Sequence, residues 1–329
     1  MSAKNLPCLF LTPLLCLACD AGDAPEPAPL TIVSAPQTED ELLGVCLLGE
    51  DDNACTGLDR LADVGVQRRC GFELTPARLT AMNHHYTDML AAAAPEPTAY
   101  SPGDITILVA VHVINKGLGA ANGDVSDKQI KDQIAVLNQA HAWNGTPFQF
   151  YLWSVDRTTN ASWYNMSMNS TAETAAKTAL RTGDESTLNL YITNTQVSIG
   201  WSSIPSDLFD EPLAMDGVVL SNLTLPGGSY APYNLGDNAV HEIGHWLGLL
   251  HTFQDGCGQN NNYAGDRVAD TPSEKSPAYG CPKNRDSCNS PGVDPVTNYM
   301  DYSDDSCMNT FTQGQADRMV TMWEIYRKY

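Results

Sequence analysis

Apolar and β-branched residues run almost without a break from Asp104 to Ile114 (DITILVAVHVI), the pattern of a strand buried on both faces. Asp127 to Ala140 then carries apolar residues at helical spacing, with Ser126 placed to cap the first turn. Phe148 to Val155 and Leu188 to Thr193 read as two further strands. Thr171 to Arg181 has a helical composition between them, and Gly217 to Ser221 supplies a short last strand before a helix around His241. The order β, α, β, α, β, β, α predicts an α/β (α+β) domain in which a mixed twisted sheet carries helices against it. Residues 252–311 hold few periodic segments, and Thr312 to Tyr329 reads as a terminal helix. The intervening loops are expected to be pinned by metal and disulfide rather than by a core of their own.

The helix around His241 carries chemistry. His241 to His251 reads HEIGHWLGLLH, with His241 and His245 four residues apart and therefore on one helix face. Both ring nitrogens can then reach one zinc ion, with Glu242 beside the position left for water. Gly248 has no Cβ and tolerates the left-handed conformation that ends a helix, so the chain can turn and return His251 as a third ligand. Three protein ligands and one open position mark a catalytic zinc site; structural sites are closed and usually cysteine-rich.

The extended HExxHxxGxxH pattern resembles the metzincin metallopeptidases, whose second element, a methionine turn beneath the metal, is matched by Met300 in NYMDYSDDSCM. HEIGHWLGLLHTF, DTP at Asp270 to Pro272, GCP at Gly280 to Pro282 and NYMDYSDDSCMNTFTQGQ together resemble the pappalysin (cytophagalysin, M43-like) family over roughly the last 90 residues. The resemblance implies a zinc endopeptidase acting on proteins or peptides. Zinc on His241, His245 and His251 polarises the scissile carbonyl, while Glu242 takes a proton from water and passes it to the leaving amine. It also implies that Tyr302 hydrogen-bonds the developing oxyanion, against the plainer reading of a core tyrosine, and that Met300 fills the floor under the metal.

Charge and cysteines fit an exported enzyme. With 39 acidic against 18 basic residues the formal net charge is −21, which argues against nucleic acid and anionic membrane surfaces as partners. Lys4 followed by an apolar run from Leu6 to Ala18 is too short for a permanent membrane helix and reads as a signal peptide, residues 1–19. Leu17, Ala18 and Cys19 resemble the end of a bacterial lipoprotein signal, although Cys16 sits where such signals prefer an aliphatic residue. A lipid anchor at Cys19 on the cell surface and simple removal on secretion both stay open. Residues 20–99, rich in Pro, Ala and acid at their start, read as linker and pro-segment. Residues 100–329 read as the catalytic domain, divided at 251/252 into an N-terminal and a C-terminal subdomain.

Of ten cysteines, Cys8 and Cys16 leave with the signal and Cys19 is lipidated or lost, so seven remain. Cys257, Cys281, Cys288 and Cys307 allow three pairings that spacing does not separate; the family resemblance implies Cys257–Cys288 and Cys281–Cys307. For Cys70, in RRCGFE, resemblance to zymogens of the clan implies a thiolate on the open zinc position until the leader is cut away. A disulfide from Cys70 to Cys46 or Cys55 is the other reading.

Two further assignments carry alternatives of their own. Asp305, five residues after Met300, is placed by resemblance near the wall that receives the residue just after the cut bond, where a carboxylate favours Arg or Lys. Asp304 and Asp305 also read as solvated turn residues or metal ligands. Asp266, Asp270 and Thr271 follow the zinc helix and offer oxygen ligands to a structural calcium ion, although Asp270 and Thr271 equally suit a turn before Pro272. Between Arg78 and Lys116 no lysine or arginine occurs, so a preference for Arg or Lys places any self-cleavage at Arg78 or upstream, or else another protease makes the cut. An adhesion or binding module on a weakly active zinc fold and a zinc hydrolase of small amides are the competing functions; intact Glu242 weighs against the first.

Overall fold

The structure is a computed structural model that describes residues 68–93, 100–258 and 264–328, all within the unit Leu58–Tyr329. The expected signal peptide, Cys19, Cys46 and Cys55 lie outside the described residues.

Five strands form one sheet in the order β2-β1-β3-β5-β4. β1 (Ile105–Asn115) lies between β2 (Phe148–Thr159) and β3 (Leu188–Thr193) and is parallel to both, which is why its apolar run is nearly continuous. β5 (Val218–Ser221) pairs parallel to β3, and β4 (Gly200–Ser202) closes that edge antiparallel to β5. The sequence pattern missed β4. A Gly-Trp-Ser segment is too short to alternate, and its ladder to β5 is a tertiary fact.

Helix α1 (Pro76–Ala93) falls in the stretch read as linker and pro-segment, where no element was expected. α2 (Asp127–Trp143) begins at Ser126, whose hydroxyl accepts from Gln129 N while the Gln129 side chain accepts from Ser126 N. Ile130, Ile134 and Leu137 of α2 pack on Val109, Val111 and Leu190 of the sheet. Short α3 (Ala161–Tyr164) and α4 (Thr171–Leu180) lie in the segments around Met166 and Ala176, which pack with Ile114, Tyr191, Trp201 and Val219 in a separate cluster. A short α5 (Asp207–Asp210) precedes β5, and α6 (Asp237–Trp246) follows it, buried along its whole length and joined to the main core through Ala239, Val240 and Ile243.

The described residues between 252 and 311 form no helix or extended strand. Two disulfides staple them, Cys257–Cys288 and Cys281–Cys307. α7 (Gln313–Tyr326) starts at Thr312 with a second capping box, to Gln315. Just past it, buried Arg327 donates to Asp216 from both Nη1 (3.2 Å) and Nη2 (3.0 Å) and from Nε to the carbonyl of Trp246 (3.1 Å). Its guanidinium lies 3.6 Å from the centre of the Trp246 ring, and Trp246 Nε1 also donates to Asp216. These contacts fasten the end of α6 to the segment before β5 and to the segment after α7.

Candidate metal centre

α6 holds His241, Glu242 and His245 on a fully buried element, and His251 returns to them after the helix ends. The reversal is local. Gly248 has φ +97°, its N–H bonds to His245 O at 2.8 Å and the N–H of Leu249 bonds to Gly244 O at 2.9 Å. A Cβ at Gly248 would also lie 2.4 Å from Met322 Cγ of α7, so the position demands glycine twice over.

Hydrogen bonds on the far side of the His241 and His245 rings set their tautomers. His241 Nδ1 faces the carbonyl of Tyr299 at 2.6 Å and His245 Nδ1 that of Leu249 at 2.8 Å. A carbonyl only accepts, so both Nδ1 atoms carry the proton and both Nε2 atoms present bare lone pairs. Burial lowers the pKa of all three imidazoles, those of His241 and His251 far below the usual histidine range, and favours the neutral form that a metal requires. His245 Nε2 and His251 Nε2 approach to 3.1 Å, and His241 Nε2 is buried with no protein partner.

Cys70 completes the cluster. Its Sγ and the ligating nitrogens of the three histidines all lie within 4.8 Å of one another, the one such group of metal-binding side chains among the described residues. Cys70 is buried and carries a free thiol. Three converging nitrogens, one of them an unpartnered buried atom, and a soft sulfur form a donor set that fits zinc.

Glu242 is 0% exposed. Its Oε2 accepts from Cys70 Sγ at 3.4 Å, Oε1 has no protein partner, and burial lifts its pKa to about 8. Gly200 of β4 makes room for it, since a Cβ there would lie 2.9 Å from Glu242 Cγ. Met300, also 0% exposed, lies beneath α6: a Cβ on Gly244 would approach its Sδ to 2.4 Å. Tyr302 reaches the cluster from the same turn, with its hydroxyl 3.3 Å from His251 Nε2.

The segment Arg68–Gly71 runs along the sheet edge into this site. Arg68 N–H donates to Val197 O, Ile199 N–H to Arg68 O and Gly71 N–H to Gly200 O, each at 2.8 Å. Arg69 turns inward, where Nη1 donates to Asn238 Oδ1 at 2.6 Å and Nη2 lies 3.5 Å from Asp305 Oδ1 and from Met308 Sδ. Its guanidinium sits 4.6 Å from the centre of the Tyr233 ring. Asn238 is held for this contact by its own amide N–H groups, which donate to Ile199 O (3.0 Å) and Thr224 Oγ1 (3.1 Å) and so aim Oδ1 at Arg69. Asp305 is 2% exposed, so it is not a solvated turn residue. Its Oδ2 accepts from Leu235 N–H at 2.9 Å, and with the N–H groups of Gly236 and Asp237 it caps the start of α6 from a distant loop.

The three residues expected at a calcium ion are tied to the start of α7. Asp266 accepts from Val268 N–H (2.9 Å) and Gln315 Nε2 (2.7 Å), Asp270 accepts from Gly314 N–H (2.9 Å), and Thr271 Oγ1 lies 3.3 Å from Thr312 Oγ1. Burial lifts the Asp266 pKa to about 6. Sequence reading missed Arg69, Phe72, Tyr233 and Asn238, whose roles arise only when separated segments meet.

A mixed sheet with an antiparallel edge strand, a His-Glu helix ended by glycine and a methionine floor together define a metzincin-like metallopeptidase domain. The chain belongs to the M43 peptidase family: the model of Peptidase M43, described as pregnancy-associated plasma protein-A, matches residues 224–324. An extracellular metalloprotease of Pyricularia oryzae is 45% identical over 239 residues, covering 72% of this chain and 81% of that protein. A promirolysin mutant of Tannerella forsythia aligns with TM-score 0.64 and 27% identity over 79% of this chain and 96% of that one. Mature mirolysin of Tannerella forsythia, in complex with a cleaved peptide, aligns with TM-score 0.56 and 28% identity over 70% of this chain and 97% of its own.

Proposed function

We propose that this chain is a secreted zinc metalloendopeptidase made as a latent precursor. The observation that carries the reading is the convergence of Cys70 Sγ with the ligating nitrogens of His241, His245 and His251 inside 4.8 Å. Relatives named extracellular metalloproteases support secretion and peptide hydrolysis, and likeness to both a pro-form and a mature mirolysin supports a precursor.

His241, His245 and His251 would hold the ion. Zinc bound there supplies Lewis acidity toward a scissile carbonyl and toward water. Glu242, buried and with Oε1 free of protein partners, accepts the proton of the attacking water and returns it to the leaving amine. Tyr302, close to His251 Nε2, donates to the oxygen that gains charge as the carbonyl is attacked. In the precursor, Cys70 would add its sulfur to the three imidazoles as a ligand while engaging Glu242, so that both metal and base are blocked. Asp305 favours Arg or Lys just after the cut bond, and Arg69 of the leader fills that place in the latent form.

Glu242→Ala in the activated protein should abolish casein digestion while bound zinc, measured by elemental analysis, stays near one per chain. Digestion that survives the substitution defeats the mechanism. A metal-free preparation that gains nothing from added zinc defeats the reading as a whole. An intact Glu242 in a formed site disfavours a purely adhesive zinc fold, and casein digestion separates an endopeptidase from a hydrolase of small amides.

A further inference from the structure

Phe72 of the leader is seated as firmly as Arg69, in a place that shares none of the Arg69 contacts. Its ring stacks on His245 with centroids 4.0 Å apart and 26° between planes, meets His251 edge-on at 5.7 Å, and is 6% exposed. Around it lie Ile204 and Leu250, each 1% exposed, with Leu79 and Met82 of α1 closing the cluster. Ownership of these residues is divided: Phe72, Leu79 and Met82 belong to the leader, whereas Ile204 and Leu250 belong to the segment after β4 and to the turn between His245 and His251. Departure of the leader uncovers two buried aliphatic side chains and a metal-ligating ring face together.

We propose that Ile204, Leu250 and the face of His245 form a substrate subsite for a large apolar or aromatic side chain on the acyl side of the scissile bond, which Phe72 fills in the latent form. The assignment to that side rests on the reading of the Asp305 and Asn238 pocket as the place for the residue just after the cut. Cys70 stands between Arg69 and Phe72 with its sulfur at the metal cluster, so a pocket past Cys70 lies across the metal from that place. The selectivity is hydrophobic. A buried Phe or Leu side chain gains transfer free energy that Ala largely lacks, and Asp opposes burial outright.

The test is a set of fluorogenic peptides with Arg fixed after the intended bond and Phe, Leu, Ala or Asp at each of the two preceding positions, cleaved by the activated wild-type protein. Phe and Leu at one of those positions should exceed Ala by about tenfold in kcat/KM, and Ile204→Thr should narrow the gap. Equal rates across that series overturn the subsite even when replacing Arg slows cleavage, which leaves the basic reading standing. An apolar preference that persists, with no overall loss of rate, when Arg is replaced by Ala supports the subsite and counts against the basic reading alone. A readout without turnover uses the full chain: Phe72→Ala should speed alkylation of Cys70 by iodoacetamide about tenfold, with Phe72→Leu near wild type. Unchanged alkylation in Phe72→Ala means that the seat adds nothing to binding and refutes the proposal.

Discussion

Cys70 Sγ and Glu242 Oε2 meet at 3.4 Å inside a site where both groups are buried, so one thiol engages the proposed base while standing at the candidate metal cluster. Removing the sulfur should unlatch the site without a cut. Full-length Cys70→Ala is expected to hydrolyse peptides at least about tenfold faster than the uncleaved wild type, since one well-placed ligand contact is worth more than about 1.4 kcal/mol. Equal latency in the two proteins, with the amino terminus verified by mass spectrometry, would show that Cys70 is not the latch.

Metal removal should also register in stability. Zinc bound only by the folded state stabilises by about 2.7 kcal/mol when it is present at 100 times its Kd. Chelated protein should therefore melt several degrees lower and recover on adding zinc. His245→Ala should melt at one temperature with or without the metal.

Gly244 has no spare volume above Met300. Gly244→Ala sets a methyl group 2.4 Å from Met300 Sδ, and overpacking of this kind costs about 1–3 kcal/mol. The variant should show a lower urea midpoint and weaker zinc affinity. Gly244→Ala combined with Met300→Ala should recover part of the loss, because the methyl then meets an opened floor.

Asp216 predicts an acid limb. Burial raises its pKa, but the charge and hydrogen bonds of Arg327 outweigh that and hold it below the ordinary carboxylate value. A depressed folded-state pKa means the contribution is complete above the unfolded value near 4 and is lost as pH falls through the folded value. Stability of the wild type should drop as pH falls below about 4, partly through this group. Asp216→Asn should lose about 3–5 kcal/mol at neutral pH by leaving Arg327 buried and unpaired, and should show a flatter acid limb. Urea titrations at a series of pH values measure both.

The metal centre was legible because its three imidazoles, its carboxylate and its turn glycine fall in one short window whose spacing matches one helix and one reversal. β1 and β3 were legible for a different reason: strands buried on both faces need uninterrupted apolar runs. α1 was hidden by the Ala and Pro rich stretch after it, although Leu79, Met82, Tyr86 and Met89 repeat at intervals of three and four. The Arg69 pocket was not legible at all. Tyr233, Asn238, Asp305 and Met308 come from a loop, the zinc helix and the turn after Met300, and only the tertiary fold assembles them. Asp305 shows the limit of reading one residue for one role, since it both faces Arg69 and caps α6.

Arg327 follows Trp246 by 81 residues, yet it clasps the end of the helix that carries two of the three imidazoles. A chain emerging from its amino terminus therefore possesses every ligand long before it possesses the clasp that steadies them. During synthesis the site therefore exists as parts until Arg327 has been added, an order of assembly written into the covalent sequence.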